Sequence, residues 1–180
     1  MKVVSLFSGA GGLDLGFIKA GHEIIWANDN FLDAVNTYRK NIGNHIILGD
    51  IEKISSDEIP DHDILIGGFP CQGFSVANSK RGEHDERNKL YLELIRILID
   101  KKPKFFVAEN VKGIISLKKG KVFELIMSDL SKAGYKVKYD ILNASDFGVP
   151  QKRERVIIIG VRGDLDFEAG RTQEPADVGD

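Results

Sequence analysis

The single cysteine of the chain, Cys71, follows Pro70 in the stretch GGFPCQGFS at 67–75. The segment DILI at 63–66, three apolar residues after an aspartate, precedes this stretch and predicts a short buried strand. The thiol would then lie just past the carboxyl end of a strand, where open α/β sheets bind their ligands. A free cysteine is also among the most buried residue types and often only packs. On this stretch alone, a nucleophile and a core residue are about equally plausible.

Charged side chains accompany two other predicted strands. Glu109 is the first charge after the apolar run 105–108, which suits it to donate a proton, although it could also be a solvated acid at a strand end. Arg153 and Arg155 alternate at the start of the last predicted strand, so their side chains point to one face. These two guanidinium groups could bind an oxo group or a phosphate, or pair with Glu154 at the surface. A cysteine, a glutamate and a cationic oxygen binder together suit covalent catalysis.

A glycine-rich turn, GAGG at 9–12, follows the first predicted strand. Glycines let a ligand approach the backbone, and a helix start presents free N–H groups. Asp29 and Asp50 end the second and third predicted strands, where they could bind ribose hydroxyls and an exocyclic amine, or simply be solvated. Asp14 stands where the dinucleotide fingerprint requires Gly or Ala. The ligand therefore need not contain a pyrophosphate, which disfavours an NAD-linked dehydrogenase and is compatible with S-adenosylmethionine.

Strands alternate with helices along the chain, which predicts an α/β fold with a doubly wound, mostly parallel sheet. Predicted strands cover 2–7, 24–27, 46–48, 63–66, 105–109, 136–142 and 155–161, and predicted helices cover 13–20, 31–41, 90–100 and 121–133. No helix separates the last two strands, so we expect an antiparallel hairpin at the sheet edge. We expect one domain over 1–163 and a linker or disordered tail over 164–180.

Composition limits the remaining possibilities. With 180 residues, 42% of them hydrophobic, the chain is long enough for one domain with a sizeable core. A net charge of −2 provides no global basic field, so contacts with a nucleic acid must come from local loops such as the polar segment 76–88. A single cysteine excludes an internal disulfide, and no signal peptide or membrane span is evident. We therefore expect a cytoplasmic protein.

Taken in order, the motifs resemble those of the cytosine-C5 DNA methyltransferases, from residue 3 to about residue 160. The resemblance is carried by FSGAGG at 7–12, ND at 28–29, GDI at 49–51, FPCQ at 69–72, ENV at 109–111 and QKRER at 151–155. It implies a Rossmann-like methyltransferase fold and methyl transfer from S-adenosylmethionine to C5 of a flipped-out cytosine in duplex DNA. Cys71 would form a covalent bond to C6 of the base, which activates C5.

The resemblance also implies a role for individual residues. Glu109 would bond N3 and the exocyclic amine of the base. The implied catalytic residues are Cys71, Glu109, Arg153 and Arg155. The implied cofactor-binding residues are Phe7, Gly9, Ala10, Gly11, Gly12, Asp29, Asn30, Asp50, Ile51, Pro70 and Leu90. The implied DNA-binding residues are Gln72, Ser75, Lys80, Arg81 and Arg87. No metal is implied.

The chain departs from the family pattern in two respects. Family members continue into a target-recognition region and a final motif that completes the cofactor pocket. We therefore expect a fragment or one subunit of a split enzyme, from a bacterial or phage modification system, with duplex DNA and a second subunit as partners. Many relatives have the longer Glu where this chain has Asp29, so its ribose contact would be looser or water-mediated. Two alternatives remain: a tRNA cytosine-C5 methyltransferase and a non-catalytic regulatory subunit that binds S-adenosylmethionine.

Overall fold

The structure, a computed structural model, describes residues 1–70 and 90–165. Within these ranges, seven strands form a single sheet and four α-helices pack on it. The strands are β1 (Lys2–Leu6), β2 (Glu23–Asp29), β3 (Ile46–Leu48), β4 (Ile64–Gly67), β5 (Phe105–Val111), β6 (Tyr135–Asn143) and β7 (Glu154–Arg162). The helices are α1 (Gly12–Lys19), α2 (Leu32–Asn41), α3 (Leu90–Lys101) and α4 (Lys121–Lys132).

The strand order is β3-β2-β1-β4-β5-β7-β6. Strands β1 to β5 pair in parallel, whereas β7 runs antiparallel to both β5 and β6. This arrangement confirms the predicted doubly wound, mostly parallel sheet with an antiparallel hairpin at its edge. The order reverses between β1 and β4, which is the switch point where α/β sheets form a ligand crevice.

Helices cover the sheet on both faces because side chains alternate along each buried strand. On β1, Val3 packs in the cluster that includes Val35 and Tyr38 of α2. Its neighbour Val4 packs in the opposite cluster, which includes Leu94 of α3 and Ile126 of α4. The two core clusters therefore lie on opposite faces of the sheet. The edge formed by the carboxyl ends of the parallel strands lies between them.

The helix ends follow local backbone chemistry. Gly21 (φ 83°) and Gly134 (φ 96°) lie just after α1 and α4, in the left-handed conformation that commonly ends a helix. The helices α3 and α4 each have 12 residues. Within the two described ranges, no helix combines the length and apolarity needed to cross a bilayer.

Candidate active site

A cavity of about 340 Å³ lies at the carboxyl ends of β1 to β4 and is closed by the start of α3. Among the described residues its lining is Phe7, Asn28, Asp29, Asn30, Asp50, Ile51, Gly68, Pro70 and Leu90. Apart from the glycine turn, every residue predicted to contact the cofactor lies in this lining. The volume suits a small ligand, since such sites measure roughly 300–1,000 Å³. We refer to this space as the first cavity.

Both carboxylate oxygens of Asp29 accept hydrogen bonds from the backbone. Oδ2 accepts from the Gly9 N–H at 2.8 Å, and Oδ1 accepts from the Phe31 N–H at 2.9 Å. Each carboxylate oxygen has a second lone pair, so both retain capacity for a ligand hydroxyl. Asp29 therefore holds the glycine turn against the end of β2 and lines the first cavity with the same carboxylate.

Asp50 serves a similar double purpose at the end of β3. Its Oδ1 accepts from the Glu52 N–H at 3.2 Å and so caps the 3₁₀ turn Ile51–Lys53. The side chain remains 38% exposed, and its Oδ2 lies 4.0 Å from Lys53 Nζ. The cap fixes the backbone at Ile51, whose buried side chain forms part of the cavity wall.

The glycine turn before α1 packs closely on α2. A Cβ added at Gly11 (φ 87°) would lie 2.1 Å from Ile42 Cδ1 and 2.8 Å from the Tyr38 ring, so only glycine fits. Gly9 (φ 56°) is also left-handed, but a Cβ there would meet open space. Phe7 has a φ of 53°, which is unusual for a bulky residue. This strained residue lines the first cavity, and such strain is typical of ligand sites.

A buried carboxyl group beneath the turn explains the departure from the dinucleotide fingerprint. Asp14 is fully buried; its Oδ1 accepts from Ser5 Oγ at 2.7 Å, and its Oδ2 accepts from Tyr38 OH at 2.8 Å. Desolvation raises the pKa of Asp14. The Ser8 hydroxyl continues the network by donating to Ser5 Oγ at 2.9 Å. Asp14 thus ties together β1, α1 and α2 at the position where the fingerprint has a small residue.

A second cavity, of about 360 Å³, extends from the glycine turn to the ends of β5 and β7. Among the described residues its lining is Ser5, Leu6, Phe7, Ser8, Gly12, Leu13, Asp14, Gly68, Glu109 and Arg153. It shares Phe7 and Gly68 with the first cavity. Within the turn, Gly12 lines this cavity, whereas Gly9, Ala10 and Gly11 are absent from the described lining of either. The two cavities therefore abut.

Glu109 is held by an arginine on the neighbouring strand. Arg155 Nε lies 2.8 Å from Glu109 Oε1, and the two side chains are only 23% and 29% exposed. A Cβ added at Gly68 would lie 3.1 Å from Glu109 Oε2, so the end of β4 closely approaches this carboxylate. The Glu154 carboxylate pairs with Lys112, whose Nζ lies 2.7 Å from Oε1, whereas Arg155 Nη1 donates to the Glu154 backbone carbonyl at 2.8 Å. The carboxylate that Arg155 pairs with is therefore that of Glu109.

Two buried asparagines, to which the sequence reasoning assigned no role, hold the strand ends together. Asn110 Nδ2 donates to the Phe69 carbonyl at 2.9 Å, which ties the end of β5 to the segment after β4. Asn28 Nδ2 donates to the Gly49 carbonyl at 2.9 Å, which ties the end of β2 to that of β3. In the sequence, both asparagines stand in motifs that carry the resemblance, ND at 28–29 and ENV at 109–111, but those motifs indicate no structural partner for either.

Several predicted site residues lie outside the described residues. These are the proposed nucleophile Cys71 and the predicted DNA contacts Gln72, Ser75, Lys80, Arg81 and Arg87. The predicted polar loop at 76–88 lies in the same gap. In the sequence, Cys71 directly follows Pro70, which lines the first cavity.

Sequence and structure comparisons give one consistent result. The model of the C-5 cytosine-specific DNA methylase family matches residues 1–177. The chain is 51% identical over 169 residues to the Type II methyltransferase M.NgoFVII of Neisseria gonorrhoeae, covering 93% of this chain and 45% of that protein. It is 52% identical over 167 residues to M.FnuDI of Fusobacterium nucleatum, covering 93% and 48%. The chain thus spans about half the length of these curated relatives.

Among solved structures, a prophage-encoded protein of Escherichia coli superposes with a TM-score of 0.79 at 33% identity, covering 93% of this chain and 49% of that chain. The Spodoptera frugiperda DNMT2 mutant superposes with a TM-score of 0.77 at 27% identity, covering 96% and 53%. The seven-stranded sheet, with its antiparallel β7 between β5 and β6, is a Rossmann-like methyltransferase fold. Within that class, the chain belongs to the C-5 cytosine-specific DNA methylase family.

Proposed function

We propose that this chain is the catalytic and cofactor-binding part of a DNA (cytosine-5)-methyltransferase that uses S-adenosylmethionine. The observation that carries the proposal is the meeting of two cavities at Phe7 and Gly68. The first is lined by acids suited to an adenosine, and the second leads to Glu109 and Arg153. A methyl donor and a base would then lie on either side of one narrow junction.

The chemistry of the first cavity fits this cofactor better than a dinucleotide. Its described lining contains the carboxylates of Asp29 and Asp50 and no Lys or Arg. Carboxylates accept hydrogen bonds from ribose hydroxyls and an exocyclic amine, whereas a pyrophosphate would be repelled by them. When bound, S-adenosylmethionine supplies an electrophilic methyl group on a sulfonium. Asp29 would hold the ribose, Asp50 and Ile51 the adenine, and Pro70 and Leu90 the remaining walls.

The catalytic roles are those that the resemblance implies, and the presence of Glu109 and Arg153 in the lining of the second cavity supports them. The Cys71 thiolate would add to C6 of the cytosine, and the resulting electron-rich C5 would take the methyl group. Solvent water would then take the C5 proton, the C5–H electrons would restore the C5=C6 double bond, and the C6–S bond would break to return the Cys71 thiolate. Glu109, held by Arg155, would in its protonated form donate a hydrogen bond to N3 and accept one from the exocyclic amine, while Arg153 would lie at the base. A base can reach this site only when flipped out of the duplex.

The same proposal covers the partners and the setting. Duplex DNA is the substrate, and the region that the relatives possess beyond this match would supply target recognition, either in the same polypeptide or as a second subunit. Gln72, Ser75, Lys80, Arg81 and Arg87 remain proposed DNA contacts. We propose a cytoplasmic role in a bacterial or phage modification system. The division into a domain at 1–163 and a linker at 164–180 also remains a proposal.

Methyl transfer assays test the proposal directly. The chain is incubated with tritiated S-adenosylmethionine and either duplex DNA or tRNA. It is tested both by itself and fused to the part of M.NgoFVII that lies outside the match with this chain. We expect label in DNA and none in tRNA, at least in the fusion, and none with Cys71→Ala. Label in tRNA alone would support the tRNA enzyme.

Cofactor binding, measured beside methyl transfer, distinguishes the proposed enzyme from a non-catalytic regulatory subunit. A regulatory subunit would bind S-adenosylhomocysteine but would leave both nucleic acids unlabelled in every combination. For the proposed enzyme, Asp29→Ala and Asp50→Ala should each weaken binding of S-adenosylhomocysteine measured by calorimetry. Undiminished binding in both variants would place the cofactor elsewhere and contradict the assignment of the first cavity.

A further inference from the structure

Arg96, on α3, joins this helix to the loop that forms the opposite wall of the first cavity. Its Nη2 donates to the Ile51 carbonyl at 3.2 Å and to the Ile54 carbonyl at 3.0 Å. Its Nη1 donates to Ser56 Oγ at 2.6 Å. One side chain therefore holds both ends of the 3₁₀ turn that follows Asp50.

The guanidinium is itself held in place. Its Nε donates to Glu93 Oε2 at 2.8 Å, one helical turn earlier on α3, and the two side chains are 30% and 17% exposed. Ser56 Oγ in turn donates to Asp100, further along the same helix. A planar guanidinium with a fixed fork of donors suits several acceptors at once, which the ammonium of lysine cannot match. The helix and the loop are thus joined by a chain of charge-assisted bonds.

These contacts have a consequence for the cavity because its two walls belong to the two joined elements. Leu90, on the first turn of α3, forms one wall, whereas Asp50 and Ile51 form the other. We propose that Arg96 is a positioning residue for the adenine moiety of the methyl donor: it sets the separation between α3 and the Asp50 loop. This inference rests on the proposed function, since it assigns adenine to this part of the first cavity.

Two substitutions at Arg96 and one elsewhere on α3 test it. Arg96→Met removes every bond to the loop, and Arg96→Lys can restore only part of them. The matched control is Lys101→Met, which removes another ion pair from the same helix, that with Asp61 at 3.4 Å, a partner that lies outside residues 51–56. Because three bonds from a charged donor to the loop are lost, we expect Arg96→Met to weaken S-adenosylhomocysteine binding by about tenfold to a hundredfold. Arg96→Lys should fall between, and Lys101→Met should bind as the parent chain does.

Steady-state kinetics of the active protein distinguish positioning from general destabilisation. We expect Arg96→Met to raise KM for S-adenosylmethionine while KM for DNA and kcat at saturating cofactor stay unchanged. A loss of kcat with both KM values unchanged would overturn the inference. So would equal weakening of cofactor binding by Lys101→Met.

Hydrogen exchange of the unliganded chain supplies a readout that does not depend on the cofactor. Amides of residues 51–56 should exchange faster in Arg96→Met, whereas those of β1 and β2 should not change. Unchanged exchange in 51–56 would overturn the positioning role, even where binding is weakened. If neither the parent chain nor its fusion to the remaining region of M.NgoFVII bound S-adenosylhomocysteine, the proposed function would fail, while faster exchange would still support the contact between Arg96 and the loop.

Discussion

Gly11 provides the sharpest quantitative test of how the glycine turn is built. In Gly11→Ala, the new Cβ would lie 2.1 Å from Ile42 Cδ1, and the residue would have to keep a φ of 87°. A left-handed conformation costs an L-residue roughly 1–2 kcal/mol. Overpacking a filled site typically costs about 1–3 kcal/mol more. We therefore expect Gly11→Ala to lower the free energy of unfolding by about 2–5 kcal/mol.

A matched control separates the two contributions. Gly9 is left-handed as well, at φ 56°, but a Cβ there meets no atom within 4 Å. Gly9→Ala should therefore cost only the conformational part, about 1–2 kcal/mol. The difference between the two variants measures the close approach of the turn to α2.

A double-mutant cycle identifies the contact responsible. Ile42→Val removes Cδ1 and should by itself cost about 0.5–1.5 kcal/mol. Combined with Gly11→Ala, it should recover part of the overpacking, which leaves a favourable coupling between the two sites. Urea unfolding followed by circular dichroism gives all four free energies. Equal costs for Gly9→Ala and Gly11→Ala, or additive effects of Gly11→Ala and Ile42→Val, would refute the proposed packing.

Three further predictions concern the buried Asp14, the hydrogen bond of Asn110 at the end of β5, and DNA binding by the turn at Lys118 and Lys119. Burial raises the pKa of Asp14 above 3.8, so its contribution to stability falls as pH rises from 3.8 through its folded pKa. In Asp14→Asn, the free energy of unfolding in urea should lack this decrease between about pH 4 and 7. The same pH dependence in Asp14→Asn and the parent chain would contradict the prediction. Asn110→Ala leaves the Phe69 carbonyl without its donor. We expect a loss of about 1–3 kcal/mol in the free energy of unfolding and reduced methyl transfer. Unaltered values of both would refute the link that Asn110 makes between β5 and the segment after β4. Lys118 and Lys119 place two exposed cations in one turn, with φ of 49° and 60°, and we expect them to contact DNA phosphates. Replacing both with Gly should relieve the left-handed conformation and raise stability, but weaken DNA binding and reduce its salt slope. Unchanged affinity in a salt titration would refute a DNA contact at this turn.

Much of the fold was predictable because the strands are short apolar runs ended by polar residues. That pattern placed Asp29 and Asp50 at the same sheet edge, where both line the first cavity. The absence of a helix between the last two strands correctly predicted their antiparallel pairing. The predicted ends of helices and strands differ slightly from those in the structure. A glycine or polar residue indicates roughly where an element ends, but not which residue makes its last hydrogen bond.

The contacts that fix the site were beyond sequence reasoning because each depends on register or on distant partners. The antiparallel pairing of β5 and β7, in which Val111 lies opposite Arg155, brings the Glu109 carboxylate within reach of the Arg155 guanidinium. Arg96 bonds a carbonyl 45 positions away, and neither local sequence carries a signal for it. The sequence showed that Asp14 does not fit the dinucleotide fingerprint. Only the fold shows that its two hydroxyl donors come from Ser5 on β1 and Tyr38 on α2.

The covalent route through Cys71 is the central claim, and one experiment addresses it most directly. Duplex DNA carrying 5-fluorocytosine at the target base blocks the release step, because fluorine replaces the C5 proton that must leave. With S-adenosylmethionine present, and the recognition region supplied where needed, we predict a denaturant-resistant adduct whose mass spectrum places a methylated fluoropyrimidine on the peptide containing Cys71. DNA methylation without any trapped adduct, or an adduct on a peptide lacking Cys71, would contradict the account.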